Sequence, residues 1–219
     1  MIGIKLIIFD LDGTLIHSLP DLIDATNTVR AHFSLPELDA EAVRKLVGQG
    51  ARSLVQRALP GFPNEAIEEG LSIYIKYNAE HIADKTRLYP GVSETLEQLD
   101  QMGVQQAVVS NKNVALCHQV LKQFGVDQYF SAVLGADSLA ARKPSPEPVL
   151  TLLRHFDVSA RQSAIVGDSI NDIAAGNGAG IITIGCSYGY GDLSELESAE
   201  YVVRDFPAIL NLPALKVVK

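Results

Sequence analysis

Six short runs rich in valine and isoleucine recur along the chain, and most of them end in a small or acidic residue. Continuous apolar runs of this length are typical of strands that are buried on both faces, as in a parallel sheet. Between them, the stretches 92–102, 113–124 and 146–156 carry apolar residues at helical spacing. This alternation predicts a doubly wound α/β fold with a Rossmann-like parallel sheet. The six runs are KLIIFD (5–10), QQAVVS (105–110), AVLGAD (132–137), SAIVGD (163–168), IITIG (181–185) and YVV (201–203).

The segment from about Pro20 to about Leu88 interrupts this alternation. It contains no strand-like run, and its apolar pattern is mostly helical. Pro60-Gly61 predicts a turn inside it. We therefore predict an α/β core domain formed by residues 1–17 and 89–219, with an inserted small α-helical cap domain at residues 18–88.

Charge and cysteine content narrow the range of functions. The net charge is -8 and the basic residues are scattered, which argues against a nucleic-acid partner. An anionic ligand would therefore need local positive charge at its site. Cys117 and Cys186 show no disulfide pattern, and the first apolar run is too short and too acidic for a signal sequence or a membrane span. We expect a cytoplasmic protein without a membrane partner.

Residues capable of chemistry follow four of the predicted strands. In open α/β sheets ligands bind beyond the carboxyl ends of the strands, so these residues are expected to converge at one edge. Asp10 is the strongest of them, because an acid that ends a buried run must find a cation or hydrogen-bond donors. Asp12-Gly13 taken alone also fits an ordinary turn. The set comprises Asp10 with Asp12, Ser110 with Asn111, Lys143, and Asp168 with Asp172.

Several carboxylates at one edge would repel one another unless a hard cation lies among them. Carboxylate oxygens without histidine or cysteine favour Mg²⁺ over Zn²⁺. A structural alternative exists for the last pair: Asp168 or Ser169 would cap a helix, and Asp172 would interact with the positive end of its dipole.

Ser110, Asn111 and Lys143 are weaker signals. Serine and asparagine are common helix caps, and a lysine before a proline is usually solvated. In a functional interpretation, a hydroxyl and loop N–H groups hold a phosphoryl oxygen, and the lysine follows a strand that ends at the same edge. Carboxylates that can act as nucleophile and as acid, a metal site, a hydroxyl and a lysine together indicate phosphoryl transfer.

The stretches DLDGT (10–14), SN (110–111), Lys143 and GDSIND (167–172) resemble, in this order, the four motifs of the haloacid-dehalogenase-like phosphatase superfamily. The resemblance implies that Asp10 is the nucleophile and that Asp12 protonates the leaving group and then activates water. It also implies that an acid at Asp12 makes the chain a phosphatase and not a dehalogenase. The implied Mg²⁺ ligands are Asp10, the backbone carbonyl of Asp12, and Asp168, with Asp172 supporting the metal or its waters; the implied phosphoryl-binding residues are Ser110 and Lys143, joined by Thr14 and Asn111.

Other stretches resemble the phosphoglycolate phosphatases of that superfamily, namely SLPDL (18–22), VGQGARSLVQRAL (47–59), LYPGV (88–92), SNKN (110–113) and SYGYG (187–191). This implies a Mg²⁺-dependent hydrolase of 2-phosphoglycolate. Gly48 and Gly50 are then expected to let a cap loop approach the site. Arg52 is expected either to reach the distal part of the substrate or to be a solvated helix arginine. Many members carry aspartate at the position of His17, for which we favour a partly exposed position at the hinge.

The motifs leave other functions open. A sugar phosphate, a nucleotide or pyrophosphate is equally compatible with the motifs as the substrate, and a β-phosphoglucomutase-like phosphomutase shares the same chemistry. A phospho-acceptor signalling module also gathers acids, a hydroxyl and a lysine, but it lacks a helical cap and does not need an acid like Asp12. In each enzymatic case the partner is a small phosphorylated metabolite, and the chain is expected to act as a monomer or a homodimer.

Overall fold

The computed structural model describes residues 3–215 and places all six apolar runs in one parallel sheet. The predicted doubly wound α/β fold is therefore confirmed. Two further strands, Ile16–His17 and Arg87–Leu88, form a separate antiparallel pair. In chain order the strands are β1 (Leu6–Phe9), β2 (Ile16–His17), β3 (Arg87–Leu88), β4 (Gln105–Val109), β5 (Ala132–Leu134), β6 (Ser163–Gly167), β7 (Ile182–Cys186) and β8 (Tyr201–Val203).

The strand order of the sheet is β5-β4-β1-β6-β7-β8. From β1 the chain moves outward through β4 to β5 and then returns to place β6 on the other side of β1. The direction of winding therefore reverses between β1 and β6, where Phe9 pairs with Val166. Asp10 and Asp168 follow these two strands, so both lie at the topological switch point.

Four helices occupy the segment between β2 and β3, as the helical pattern predicts. They are α1 (Leu19–His32), α2 (Ala40–Arg44), α3 (Ala51–Ala58) and α4 (Asn64–Glu80). Leu22, Val29, Val55 and Tyr74 are among the residues that form a hydrophobic cluster of this segment's own. We call residues 18–88 the helical insertion; that it is a separate cap domain with these boundaries stays a prediction.

Four further α-helices within residues 3–215 cover the two faces of the sheet. They are α5 (Val92–Gln101), α6 (Val114–Gln123), α7 (Glu147–Phe156) and α8 (Ile170–Ala179). Along β1, Ile7 and Phe9 belong to the cluster that contains α5 and α6, whereas Leu6 and Ile8 belong to the one that contains α7 and α8. Successive side chains of a strand point to opposite faces, so a strand covered on both sides is apolar throughout.

Within residues 3–215, no helix combines the length and the apolarity that crossing a membrane requires.

Candidate active site

A cavity of about 320 Å³ lies between the carboxyl ends of the central strands and the helical insertion. This volume suits a small metabolite. Most of the residues that the motifs single out line it, and they come from both parts of the chain. From the sheet edge these are Asp10, Asp12, Ser110, Asn111, Lys143 and Asp168, and from the insertion Gly48 and Gly50.

Lys143 lies at the centre of the charged groups. Its buried ammonium donates to Oδ1 of Asp10 at 2.7 Å and to Oδ1 of Asp172 at 2.6 Å. Burial alone would lower the pKa of Lys143, but the carboxylates of Asp10 and Asp172 outweigh it and raise the pKa above its ordinary value. Lys143 is thus a fixed, charged group and not a solvated lysine.

Asp10, Asp168 and Asp172 form a compact group of acids. One carboxylate oxygen from each lies within 4.8 Å of the others, and all three residues are buried. Burial raises the pKa of Asp10 to about 7, although Lys143 opposes this. Burial, together with the charges of Asp10 and Asp172, also raises the pKa of Asp168 well above its usual range. Three carboxylates share one ammonium, so the ionised cluster carries more negative charge than Lys143 neutralises. An oxygen-only donor set of this kind fits Mg²⁺.

Two glycines leave room for the side chain of Asp168. A Cβ atom at Gly13 would lie 2.8 Å from Cγ of Asp168, and one at Gly189 would lie 2.6 Å from the same atom. Oδ2 of Asp168 accepts the N–H of Tyr190 at 2.6 Å, which fixes the carboxylate. The SYGYG stretch (187–191) therefore wraps around this acid and, together with Gly13, fixes the position of its carboxylate beside Asp10 and Asp172.

Asp172 combines the two roles that the sequence leaves as alternatives. Its Oδ2 accepts hydrogen bonds from the N–H of Ser169 at 3.1 Å and from its hydroxyl at 2.9 Å, an interaction typical of a helix N-terminus. Its Oδ1 meanwhile binds Lys143. The cap at the start of α8 thus also orients an acid of the charged cluster.

Asp12 lies beside a cation that the sequence motifs do not single out. Nζ of Lys112 is 3.3 Å from both carboxylate oxygens of Asp12, and the side chain of Lys112 is 9% exposed. Oδ1 of Asp12 also accepts a hydrogen bond from the hydroxyl of Ser18 at 2.6 Å. In the sequence, the feature that could have identified Lys112 as a site residue is its position directly after Ser110-Asn111, which follow β4.

Ser110 and Asn111 line the cavity and do not cap α6. That cap is Asn113, whose side chain accepts the N–H of Ala115 at 3.0 Å. Nδ2 of Asn111 donates to the carbonyls of Gly48 and Lys143, both at 2.9 Å, and so joins the insertion to the Lys143 loop. Thr14, by contrast, is fully buried, and its hydroxyl donates to Oδ1 of Asp168 at 3.4 Å.

The loop between α2 and α3 approaches the site as expected, but Arg52 does not. A Cβ atom at Gly50, where φ is +81°, would lie 2.9 Å from the carbonyl oxygen of Asn111. The guanidinium of Arg52 instead pairs with Glu68 and Asn64 outside the cavity. The burial of Leu54 and Val55 in the insertion directs Arg52 to the outer face of α3, where its side chain is 45% exposed.

Other basic residues of the insertion line the cavity in place of Arg52. They are Arg44, Lys45 and Arg57. Arg44 donates to the carbonyl of Tyr190 and pairs with Asp192 at 3.2 Å, whereas Arg57 donates to the carbonyl of Lys45 at 3.1 Å. Together with Lys112 and Lys143, they give the cavity the local positive charge that an anionic ligand requires in an acidic protein.

His17 lies on β2 and is exposed. The sequence favours a partly exposed position for it. The ring centroids of Tyr89 and Tyr190 lie 5.8 and 5.9 Å from that of His17. The structure therefore places His17 beside the entrance to the insertion.

Residues 7–186 match the family described as haloacid dehalogenase-like hydrolase. A phosphoglycolate phosphatase from Chromobacterium violaceum is 37% identical over 214 residues, which cover 95% of this chain and 96% of the relative. One from Haemophilus influenzae is 39% identical over 218 residues, covering 95% and 97%.

Two solved structures resemble this chain over nearly its whole length. A predicted phosphoglycolate phosphatase from Haemophilus somnus 129pt superimposes with a TM-score of 0.91 at 37% identity, covering 95% of this chain and 97% of the other. CbbY from Rhodobacter sphaeroides, solved in complex with phosphate, has a TM-score of 0.80 at 25% identity and covers 97% and 99%. The likeness extends over both the sheet and the helical insertion.

Proposed function

We propose that this chain, which belongs to the haloacid dehalogenase-like hydrolase family, hydrolyses 2-phosphoglycolate through a phosphorylated Asp10. Because its relatives are phosphoglycolate phosphatases, the chain is a phosphoric monoester hydrolase. The observation that carries the proposed mechanism is the cavity in which Lys143 binds Asp10 while Asp12 lies two residues further on. The substrate rests on the activity for which the relatives are named.

In the first step, a carboxylate oxygen of Asp10 attacks phosphorus, and the bond from phosphorus to the ester oxygen breaks. The protonated carboxyl of Asp12 gives its proton to that oxygen, so the alcohol leaves neutral. In the second step, the Asp12 carboxylate takes a proton from water while the water oxygen attacks the phosphorus. The bond between phosphorus and Asp10 then breaks, which releases phosphate and restores both carboxyl groups.

The residues present fit Mg²⁺, since the cluster offers only oxygen atoms and Asp168 is fixed between two glycines. Asp10, the backbone carbonyl of Asp12, and Asp168 would hold the ion, and Asp172 would support it. When bound, the ion neutralises charge on the phosphoryl oxygens. Asp172 and Lys143 hold each other in place in either case.

Ser110, Asn111 and Lys143 are proposed to hold the phosphoryl group. Thr14 acts indirectly, through Asp168. The helical insertion is proposed to act as a cap that excludes bulk water and limits the size of the leaving group. The contact of Asn111 with Gly48 supports this role, because it ties the insertion to the phosphoryl-binding loop.

We also propose that the protein works in the cytoplasm. Cys117 and Cys186 are both free and buried, as in proteins of a reducing compartment. That the protein acts as a monomer or a homodimer stays a prediction.

Initial rates with a panel of phosphate esters test the function. The panel holds 2-phosphoglycolate, a hexose 1-phosphate, a nucleoside monophosphate and pyrophosphate, each with Mg²⁺ and with a chelator. We expect the highest kcat/KM for 2-phosphoglycolate, and only with Mg²⁺. Asp10→Asn should abolish both turnover and the phosphorylated protein that mass spectrometry detects after rapid quenching.

Three results would contradict the proposal. Substantial activity of Asp10→Asn would exclude Asp10 as the nucleophile. Conversion of the hexose 1-phosphate to its 6-phosphate without phosphate release would make the protein a phosphomutase. A long-lived phosphorylated protein without turnover would favour a signalling module.

A further inference from the structure

The chemistry of 2-phosphoglycolate restricts where its carboxylate can be recognised. One methylene group separates the carboxylate carbon from the ester oxygen that leaves. A residue that recognises the carboxylate must therefore lie close to Asp12, because Asp12 protonates that oxygen. Lys112 meets this condition, since its Nζ is 3.3 Å from both oxygens of Asp12 and it lines the cavity.

Lys112 also differs from the other cations of the cavity in its hydrogen bonding. Lys143 binds two acids at 2.7 Å or less, and Arg44 and Arg57 donate to backbone carbonyls. Lys45 pairs with Glu41 at 3.4 Å, but its side chain is 65% exposed, whereas that of Lys112 is 9% exposed. Among residues 3–215, the ammonium of Lys112 forms hydrogen bonds with Asp12 alone, and these are long. An ammonium has three donors, so Lys112 has hydrogen-bonding capacity left for an anion.

A second donor faces the same cavity from the helical insertion. Asn78 on α4 is 3% exposed, and within the part of the chain that the structure describes its Nδ2 makes no hydrogen bond of standard geometry, only a looser interaction with the hydroxyl of Tyr74. An amide nitrogen carries two N–H donors, so at least one of them is left for a ligand. Buried amide groups are nearly always paired, so this donor fits a ligand. One turn earlier on α4, burial raises the pKa of Tyr74; the interaction with Asn78 opposes this increase, and the charge of Asp12 adds to it. This face of α4 is thus within electrostatic reach of Asp12.

We propose that Lys112 and Asn78 form a subsite for the carboxylate of the substrate. The subsite rests on the proposed function and adds the residues that set its specificity. Lys112 comes from the sheet edge and Asn78 from the helical insertion, so the bound carboxylate joins the two parts of the chain. Esters without a negative group next to the ester oxygen lack this interaction.

The test compares 2-phosphoglycolate with ethyl phosphate, in which a methyl group replaces the carboxylate. The measured quantity is the ratio of the two kcat/KM values with Mg²⁺. We expect Lys112→Met to lower this ratio about thirtyfold or more, as for loss of one partner of a buried ion pair. Asn78→Ala should lower it about fivefold, as for one neutral hydrogen bond. Arg52→Met is the matched control, because Arg52 lies outside the cavity, and it should leave the ratio unchanged.

The ratio separates this subsite from a role of Lys112 in orienting Asp12. If Lys112→Met slows both substrates by the same factor, Lys112 serves Asp12 and the subsite is wrong. A wild-type preference that survives in both variants also overturns the subsite but leaves the proposed function intact. A wild-type enzyme that hydrolyses both esters equally well overturns the substrate and the subsite together. Thermal unfolding of each variant verifies that it is folded.

Discussion

The hydroxyl of Ser18 donates a hydrogen bond of 2.6 Å to Oδ1 of Asp12. Ser18 directly precedes α1, so it is the residue at which the chain enters the helical insertion. Its N–H donates to the hydroxyl of Tyr190 at 2.7 Å, and the N–H of Tyr190 in turn donates to Asp168. The proposed acid, the entrance to the insertion and the proposed metal site are therefore linked through two residues.

Ser18→Ala should lower kcat for 2-phosphoglycolate about tenfold, because Asp12 loses the bond that orients it toward the leaving group. KM should change less, since Ser18 does not contact the proposed phosphoryl-binding residues. Steady-state kinetics measure both constants. The control is Ser72→Ala, at an exposed serine of α4. Equal kcat values for the two variants would show that Ser18 does not orient Asp12.

Lys143→Met should lower the free energy of unfolding by about 3–5 kcal/mol, because it leaves two acids buried without their cation. The matched variant is Lys85→Met, since Lys85 pairs with Asp24 at 2.5 Å on the surface and is 57% exposed. Surface pairs are worth about 1 kcal/mol or less. Urea unfolding with a chelator present compares the two variants. Similar decreases in the free energy of unfolding for the two variants would show that burial does not increase the contribution of Lys143 and its two acids to stability.

Gly189→Ala should weaken divalent-cation binding, because the added Cβ atom would occupy the space of the Asp168 carboxylate. Gly3→Ala is the control, since nothing lies within 4 Å of a Cβ atom there. Titration with Mn²⁺, followed by electron paramagnetic resonance, measures the affinity without turnover. An unchanged Kd for Gly189→Ala would remove Asp168 from the proposed ligands.

Neither cysteine of the folded protein should react rapidly with a thiol reagent at pH 8. Burial raises the pKa of Cys117 to about 12 and also raises that of Cys186. Since the thiolate is the reactive form, only about one Cys117 in ten thousand is reactive at this pH. Absorbance after addition of a chromogenic disulfide measures the rate, and the protein in denaturant, where both thiols should react, is the control. Rapid modification of the native protein would contradict the burial of these side chains.

The sheet could be predicted because its strands are apolar on both faces, as β1 shows with Ile7 and Phe9 on one side and Leu6 and Ile8 on the other. The convergence of Asp10 and Asp168 could also be predicted, since both follow strands of one parallel sheet. The pair of β2 and β3 could not, because strands of two residues have no recognisable periodicity.

The contacts made by the insertion depend on how its helices face the sheet edge, which the chain order does not specify. The sequence therefore leaves open whether Arg52 reaches the substrate or is a solvated helix arginine, whereas the structure directs it outward and brings Arg44, Lys45 and Arg57 to the cavity instead. Asn78 gives no local signal, since an asparagine near the end of a helix is ordinary. Ser18 contacts Asp12 only because the chain turns back at Gly13, where φ is +88°.

The antiparallel pairing of Ile16 with Leu88 and of His17 with Arg87 places the two ends of the insertion side by side. The 69 residues between His17 and Arg87 thus leave and rejoin the core at one point. During evolution, this segment can be lengthened, shortened or exchanged without shifting the register of the sheet. Substrate preference can then diverge among descendants of one ancestral gene, while the acids at the switch point are inherited unchanged.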